Sequence, residues 1–112
     1  MAHKICKFYK KIYLLSKKIP KRDRFGIFLK IESVSIETMA LILEAAFEIK
    51  PNKINLLNKA RINIEILKRF FTISSELKIV SDKAYFSVEI DLQEISKMIN
   101  GWIKYLKLGN TA

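Results

Sequence analysis

The sequence predicts an all-α protein, an up-down antiparallel bundle of four helices, and three observations carry that expectation. Apolar residues recur at intervals of three and four over long stretches, the signature of helices with a buried face. No apolar run alternates with period two between turn residues, although the chain is rich in isoleucine. The breaks between the periodic stretches are short, as they are between neighbouring helices of a bundle. A chain of 112 residues, half of them apolar, fits one domain over residues 1–112, with helices at about 4–18, 22–49, 52–77 and 82–107.

In the first helix Ile5, Phe8, Ile12, Leu15 and Ile19 repeat at spacings of three, four, three and four and form one core-facing stripe. Advancing about 100° per residue places Lys4, Lys7, Lys10, Lys11, Lys17 and Lys18 together beside that stripe, with Tyr9 and Tyr13 on its other flank. The helix carries no acid, whereas ordinary solvated faces mix signs at i,i+4. The segment Ile19-Pro20-Lys21-Arg22-Asp23-Arg24 follows, where Pro20 pushes Ile19 out of the α region and ends the helix. Asp23 there suits the start of the next helix, accepting backbone N–H groups and pairing with Arg22 or Arg24.

The second and third helices are apolar on two sides. In the second, Phe25, Phe28, Leu29, Ile36, Met39, Leu43, Ala46 and Phe47 make one stripe. Ile27, Ile31, Val34, Leu41, Ile42, Ala45 and Ile49 make another, nearly opposite. The third, after Lys50-Pro51, has Leu57, Ala60, Ile64, Leu67 and Phe71 on one face and Ile62, Ile66 and Ile73 on another. A bundle core needs one face per helix, and exposed stripes of this length exceed what a monomer keeps in water. The expectation is a cyclic homo-oligomer whose interface contains Ile27, Ile31, Val34, Leu41, Ile62, Ile66 and Ile73. The fourth helix opens at Ser81, an N-cap, with Asp82 in its first turn. Its core stripe is Tyr85, Val88, Leu92, Ile95, Ile99, Trp102, Ile103 and Leu106. Gly101 inside it costs about 1 kcal/mol relative to alanine, which suggests a close backbone approach.

Charge is the strongest functional signal. The chain holds 21 Lys+Arg against 11 Asp+Glu, and ten of the basic residues but only one acid, Asp23, lie in the first 30 positions. A charge excess concentrated on one helix and the turn after it is the footprint of a polyanion-binding surface. Chemistry of its own is not expected. His3 is the only histidine, Cys6 the only cysteine, and Gly26, Gly101 and Gly109 the only glycines. Neither a nucleophile pair, nor a cysteine zinc cluster, nor a glycine-rich phosphate loop can be assembled from these. Glu44 with Glu48, and Asp91 with Glu94, share helix faces, but a solvated surface explains them. No cofactor or metal is expected. No uncharged run exceeds six residues, far below the roughly 20 that span a bilayer, and no secretory signal opens the chain. A cytoplasmic location follows.

The residues Pro20-Lys21-Arg22-Asp23-Arg24-Phe25, then Glu44-Ala45-Ala46, then Glu94-Ile95 through Gly101-Trp102-Ile103-Lys104 occur in an order and spacing that resembles the accessory variability determinant (Avd) proteins. These four-helix-bundle proteins accompany the reverse transcriptases of diversity-generating retroelements and are related in fold to the proteins encoded by intervening sequences of 23S rRNA genes. The resemblance covers essentially all of the chain. It implies a pentameric barrel with a basic surface that binds the reverse transcriptase and RNA or DNA and supports mutagenic cDNA synthesis. By motif matching it implies Lys21, Arg22 and Arg24 as polyanion or polymerase contacts; the helical wheel adds Lys7, Lys11 and Lys18. Asn100 departs from the family pattern, which often has a second glycine there. Two alternatives stand beside this reading: a stand-alone nucleic-acid-binding bundle of the intervening-sequence type, and a purely structural oligomer.

Overall fold

The computed structural model describes residues 1–109. Among these the protein is all-α: α1 (Ala2–Ser16), a single turn α2 (Lys21–Arg24), α3 (Ile27–Phe47), α4 (Lys50–Glu76) and α5 (Asp82–Gly109). The four long helices lie side by side in an elongated body of 51 × 20 × 19 Å. Each long helix runs antiparallel to the next, and the side-chain pairs fix the register. Phe28 meets Phe71 edge-to-face at 6.2 Å and Asn63 donates to Glu37 at 3.3 Å, so α3 rises as α4 descends. Thr72 lies 3.4 Å from the Tyr85 hydroxyl and Lys53 sits over the Trp102 ring at 5.9 Å, which does the same for α4 and α5.

The core is a continuous aliphatic stack with a few aromatic rings. Ile5, Phe8, Ile12 and Ile19 from the N-terminal segment, Leu57, Ala60, Ile64, Leu67 and Phe71 from α4, and Val88, Leu92, Ile95 and Ile99 from α5 are all buried on the faces their spacing implies. Leu15, Tyr85 and Trp102 are half-buried at its edge.

In α3 the faces are largely exchanged relative to expectation, although Phe28 is buried and Met39 packs against the core as expected. Phe28, Ile31, Val34, Ile42 and Ala45 are buried, whereas Phe25 just before the helix and Leu29, Ile36 and Phe47 within it are exposed. Ile31 and Val34 therefore belong to the chain's own core and are not available to a second subunit. Ile27 and Leu41 are half-buried and pack against that core. The buried stripe of α3 contains Ser35 and Thr38, whose hydroxyls donate back to the carbonyls of Ile31 and Val34 at 2.7 Å. A hydroxyl satisfied by its own helix can enter a core at little cost, and its small size favours a close neighbour.

The helix ends follow local chemistry. Backbone bonds from Lys17, Lys18 and Ile19 to carbonyls three residues earlier tighten the end of α1. Pro20, extended at φ −54° and ψ 144°, then starts α2, its carbonyl accepting from Asp23 and Arg24. Gly26 separates α2 from α3, because a Cβ there would lie 3.2 Å from the Arg22 carbonyl oxygen. The long second helix expected from residue 22 is thus broken at Gly26. Ser81 caps α5, its hydroxyl accepting from the Ala84 N–H at 3.1 Å. At Gly101 no neighbour lies within 4 Å of a built Cβ, so the close approach expected from sequence is not made within the chain.

At the end of α4, Ile79 N–H donates to Ser74 and Lys78 N–H to Ser75, with Lys78 left-handed at φ 59°. This is a Schellman motif with lysine where glycine is preferred. Lys78→Gly removes a left-handed strain of roughly 1 kcal/mol and is expected to raise the thermal midpoint by several degrees in a melt followed by circular dichroism. A lower midpoint would mean that the Lys78 side chain contributes more than its backbone costs.

Candidate nucleic-acid interface

The basic residues of the first 30 positions divide into two sets with different tasks. Lys4 and Lys11, one face of α1, reach across the bundle to α5. Lys4 Nζ pairs with Asp91 Oδ1 at 3.1 Å and Glu94 Oε2 at 2.9 Å. Lys11 Nζ bonds Asp91 Oδ2 and donates to Ser87 Oγ at 2.7 Å. The acids absent from α1 are thus supplied by α5. Lys11, expected at a polyanion contact, is half-buried and already neutralised.

The second set is free. Lys7, Lys10 and Lys18 are exposed and have no carboxylate within ion-pair distance among the described residues. They flank a cleft of about 470 Å³ between α1 and the first turns of α5, whose floor is Leu14, Leu15, Ala84 and Val88. Lys21 and Arg22 extend the exposed positive charge onto the turn. Arg24 does not join them. Its guanidinium folds back to donate to the Ile19 carbonyl at 3.2 Å, with Nε buried and unpartnered, so it closes the turn instead of facing solvent. Asp23 forms no side-chain hydrogen bond or ion pair among the described residues, so the expected pairing with Arg22 or Arg24 is not made. Lys17 sits 5.7 Å from the Tyr13 ring centroid on the far flank of α1.

Of the residues expected at a subunit interface, Ile62, Ile66 and Ile73 form an exposed stripe on α4. On α3 the exposed stripe is Leu29, Ile36 and Phe47, not the expected one. Sequence reasoning missed a third stripe, Phe86, Ile90, Met98 and Tyr105 on α5, all exposed. Its signal was present, since Phe86 and Ile90 are one turn apart and Met98 and Tyr105 two turns apart. The core stripe of the same helix drew the attention instead. No three His, Cys, Asp or Glu side chains gather as a metal site among the described residues, and no helix there is long and apolar enough to cross a membrane.

A family model described as bAvd-like matches residues 1–106, from the start of α1 to within a turn of the end of α5. The chain belongs to the bAvd-like family. No curated protein matches it. Membership makes this chain an accessory protein of the Avd type, and in this bAvd-like bundle Asp91 is the residue that sorts its lysines into clamped and free.

The electrostatics of that sorting follow from burial and charge. Burial alone pushes the Asp91 carboxyl up, but the hydrogen bonds and charges of Lys11 and Lys4 outweigh it and hold the group below its ordinary value of 3.8. The hydrogen bond to Glu94, and then that to Asp91, raises Lys4 above its ordinary 10.5. A depressed carboxyl stabilises the fold above its ordinary value and loses that contribution as pH falls through the lower folded value. A raised ammonium stabilises below its ordinary value and loses the contribution as pH rises through the higher one. The clasp is therefore at full strength between pH 3.8 and 10.5. Asp91→Asn is expected to cost about 1–2 kcal/mol at neutral pH, measured by urea unfolding. The gap from the parent protein should narrow in acid, below pH 3.8, and close once the parent carboxyl is protonated as well. An equal loss in acid and at neutral pH would show that shape, not charge, holds α1 to α5.

Proposed function

We propose that this chain is a non-enzymatic, basic accessory protein of a diversity-generating retroelement, which binds the reverse transcriptase and its template RNA or cDNA and supports mutagenic cDNA synthesis. The observation that carries the reading is the bAvd-like family match over residues 1–106, and the free cations at one end of the molecule supply its physical means. Lys7, Lys10, Lys18, Lys21 and Arg22 spend no charge on the fold, so each is available to displace counterions from a phosphate backbone. Such contacts position a nucleic acid without reading its bases, and base selection then falls to the polymerase or to the RNA's own structure.

The accessory protein acts in this reading as a homo-oligomer, a pentameric barrel by family resemblance. The exposed stripes on α3, α4 and α5 support assembly, because apolar faces on three helices are more than an isolated bundle of this size keeps in water. Gly101 supports it independently. It lies between Met98 and Tyr105 on the exposed side of α5 with open space above it, where a glycine weakens the helix and serves nothing within the chain. A neighbouring subunit that approaches the bare backbone at that point gives the glycine its use.

Light scattering on the purified protein, alone and with a structured RNA, tests the reading. The expected result is a closed assembly whose mass increases on RNA addition at low salt and reverts at moderate salt. A monomer indifferent to RNA overturns it. Lys21→Glu with Arg22→Glu is expected to weaken RNA of any sequence and to reduce the slope of log affinity against log salt by about 1 per residue changed. Unchanged affinity and slope would remove the turn from the interface. Gly101→Ala gives opposite results for the two structural possibilities. In an isolated bundle it stabilises by about 1 kcal/mol, whereas at a subunit contact it dissociates the assembly.

A further inference from the structure

We propose that the cleft between α1 and the first turns of α5 is a docking groove for an acidic amphipathic helix of a protein partner. The proposal deepens the accessory reading and rests on it in one respect, that the polymerase is the protein expected to carry such a segment. The groove exists because α1 and α5 are held together by charge at one place only. Asp91 draws in Lys4 and Lys11, and beside this clasp, from Lys7 to Lys18, the two helices leave a cleft of about 470 Å³. Its floor is aliphatic, and Leu14 is left 58 % exposed in the last turn of a lysine-rich helix.

The occupant follows from combining that floor with its rim. The free ammonium groups run from Lys7 on α1 to Lys18 in the turn that ends it, a span of roughly 16 Å at the helical rise per residue. A single phosphate or headgroup would engage only part of that length. A nucleic acid backbone matches the charge but offers the leucines nothing, and no aromatic ring lines the cleft on which a base could stack. A helix with apolar residues at i, i+3, i+4 and i+7, flanked by Asp and Glu, satisfies both features at once: its apolar side covers Leu14, Leu15 and Val88 while its acids meet Lys7, Lys10 and Lys18. Lys11 takes no part, since Asp91 already holds it.

The test uses fluorescence anisotropy with the full chain and three labelled probes. These are a synthetic helical peptide of about 18 residues with leucines on one face and glutamates beside them, the same peptide with serine for leucine, and a structured RNA. The leucine peptide is expected to bind saturably, and Leu14→Ser and Lys10→Glu are each expected to weaken it by about tenfold or more. Both residues are exposed, so neither change removes a core side chain. Leu14→Ser alters no charge and should leave RNA affinity where it was. Three results overturn the groove: no saturable peptide binding, equal binding of the serine peptide, or a fall in RNA affinity on Leu14→Ser, which would give the cleft to nucleic acid. Failure of the accessory reading looks different. There RNA affinity ignores charge reversal at Lys21 and Arg22 while the leucine peptide still binds.

Discussion

The Asp91 carboxylate is the constraint on which the rest of the functional surface depends. Three of the four sides of the bundle are closed by helices in van der Waals contact, and the fourth, between α1 and α5, is closed chiefly by this group. One carboxylate with two ammonium partners achieves what a row of interdigitating side chains achieves elsewhere. Together with Glu94 it neutralises Lys4 and Lys11, it sets where α1 is pinned, and beside that point a cleft stays open between the two helices. The positive surface and the cleft are both consequences. A chain with leucine at 91 would leave Lys11 without a carboxylate and Lys4 with Glu94 alone, and would lose the feature that distinguishes clamped from free cations.

Much of the fold was legible because three of the helices carry one apolar face that is richer than any other. The stripes of α1, α4 and α5 read directly from Ile5-Phe8-Ile12, Leu57-Ala60-Ile64-Leu67-Phe71 and Val88-Leu92-Ile95-Ile99. In α3 the rule loses its power. Both faces are apolar, and the one that is buried contains Ser35 and Thr38 while the one that is exposed contains Phe25, Leu29, Ile36 and Phe47. Ranking faces by hydrophobic bulk then gives the inverted answer. The decisive fact was that each hydroxyl bonds the carbonyl four residues back. That makes serine and threonine acceptable core residues on a helix pressed between two neighbours.

The candidate site was legible as a composition but not as an arrangement. The basic excess of the first 30 residues shows in the chain itself, whereas its division does not, since Asp91 lies 80 positions from Lys11 and only the antiparallel register brings them together. Arg24 shows the same limit at short range. From spacing it belongs with Lys21 and Arg22, yet the turn made by Pro20 leaves the Ile19 carbonyl without a helical partner, and the Arg24 guanidinium fills that need. A basic residue close to an unpaired carbonyl is drawn toward structure; one without such a neighbour stays available to a ligand.

This division bears on how one small bundle could serve the two kinds of partner proposed for it. The apolar stripes lie on α3, α4 and α5, and the cationic surface on α1 and the turn after it. In the proposed oligomer, self-association through the first set would leave the second uncovered, so assembly would multiply the charged surface without consuming it. Several copies of a weakly binding patch held in one ring convert later contacts with the same nucleic acid into intramolecular events, and affinity rises without any new contact. In the proposed role each patch could then stay weak and sensitive to salt, and a strand that must move through a polymerase would be held without being trapped. An oligomer of modest basic patches suits that task better than a single high-affinity site, and it needs no chemistry beyond lysines that the fold has left unpaired.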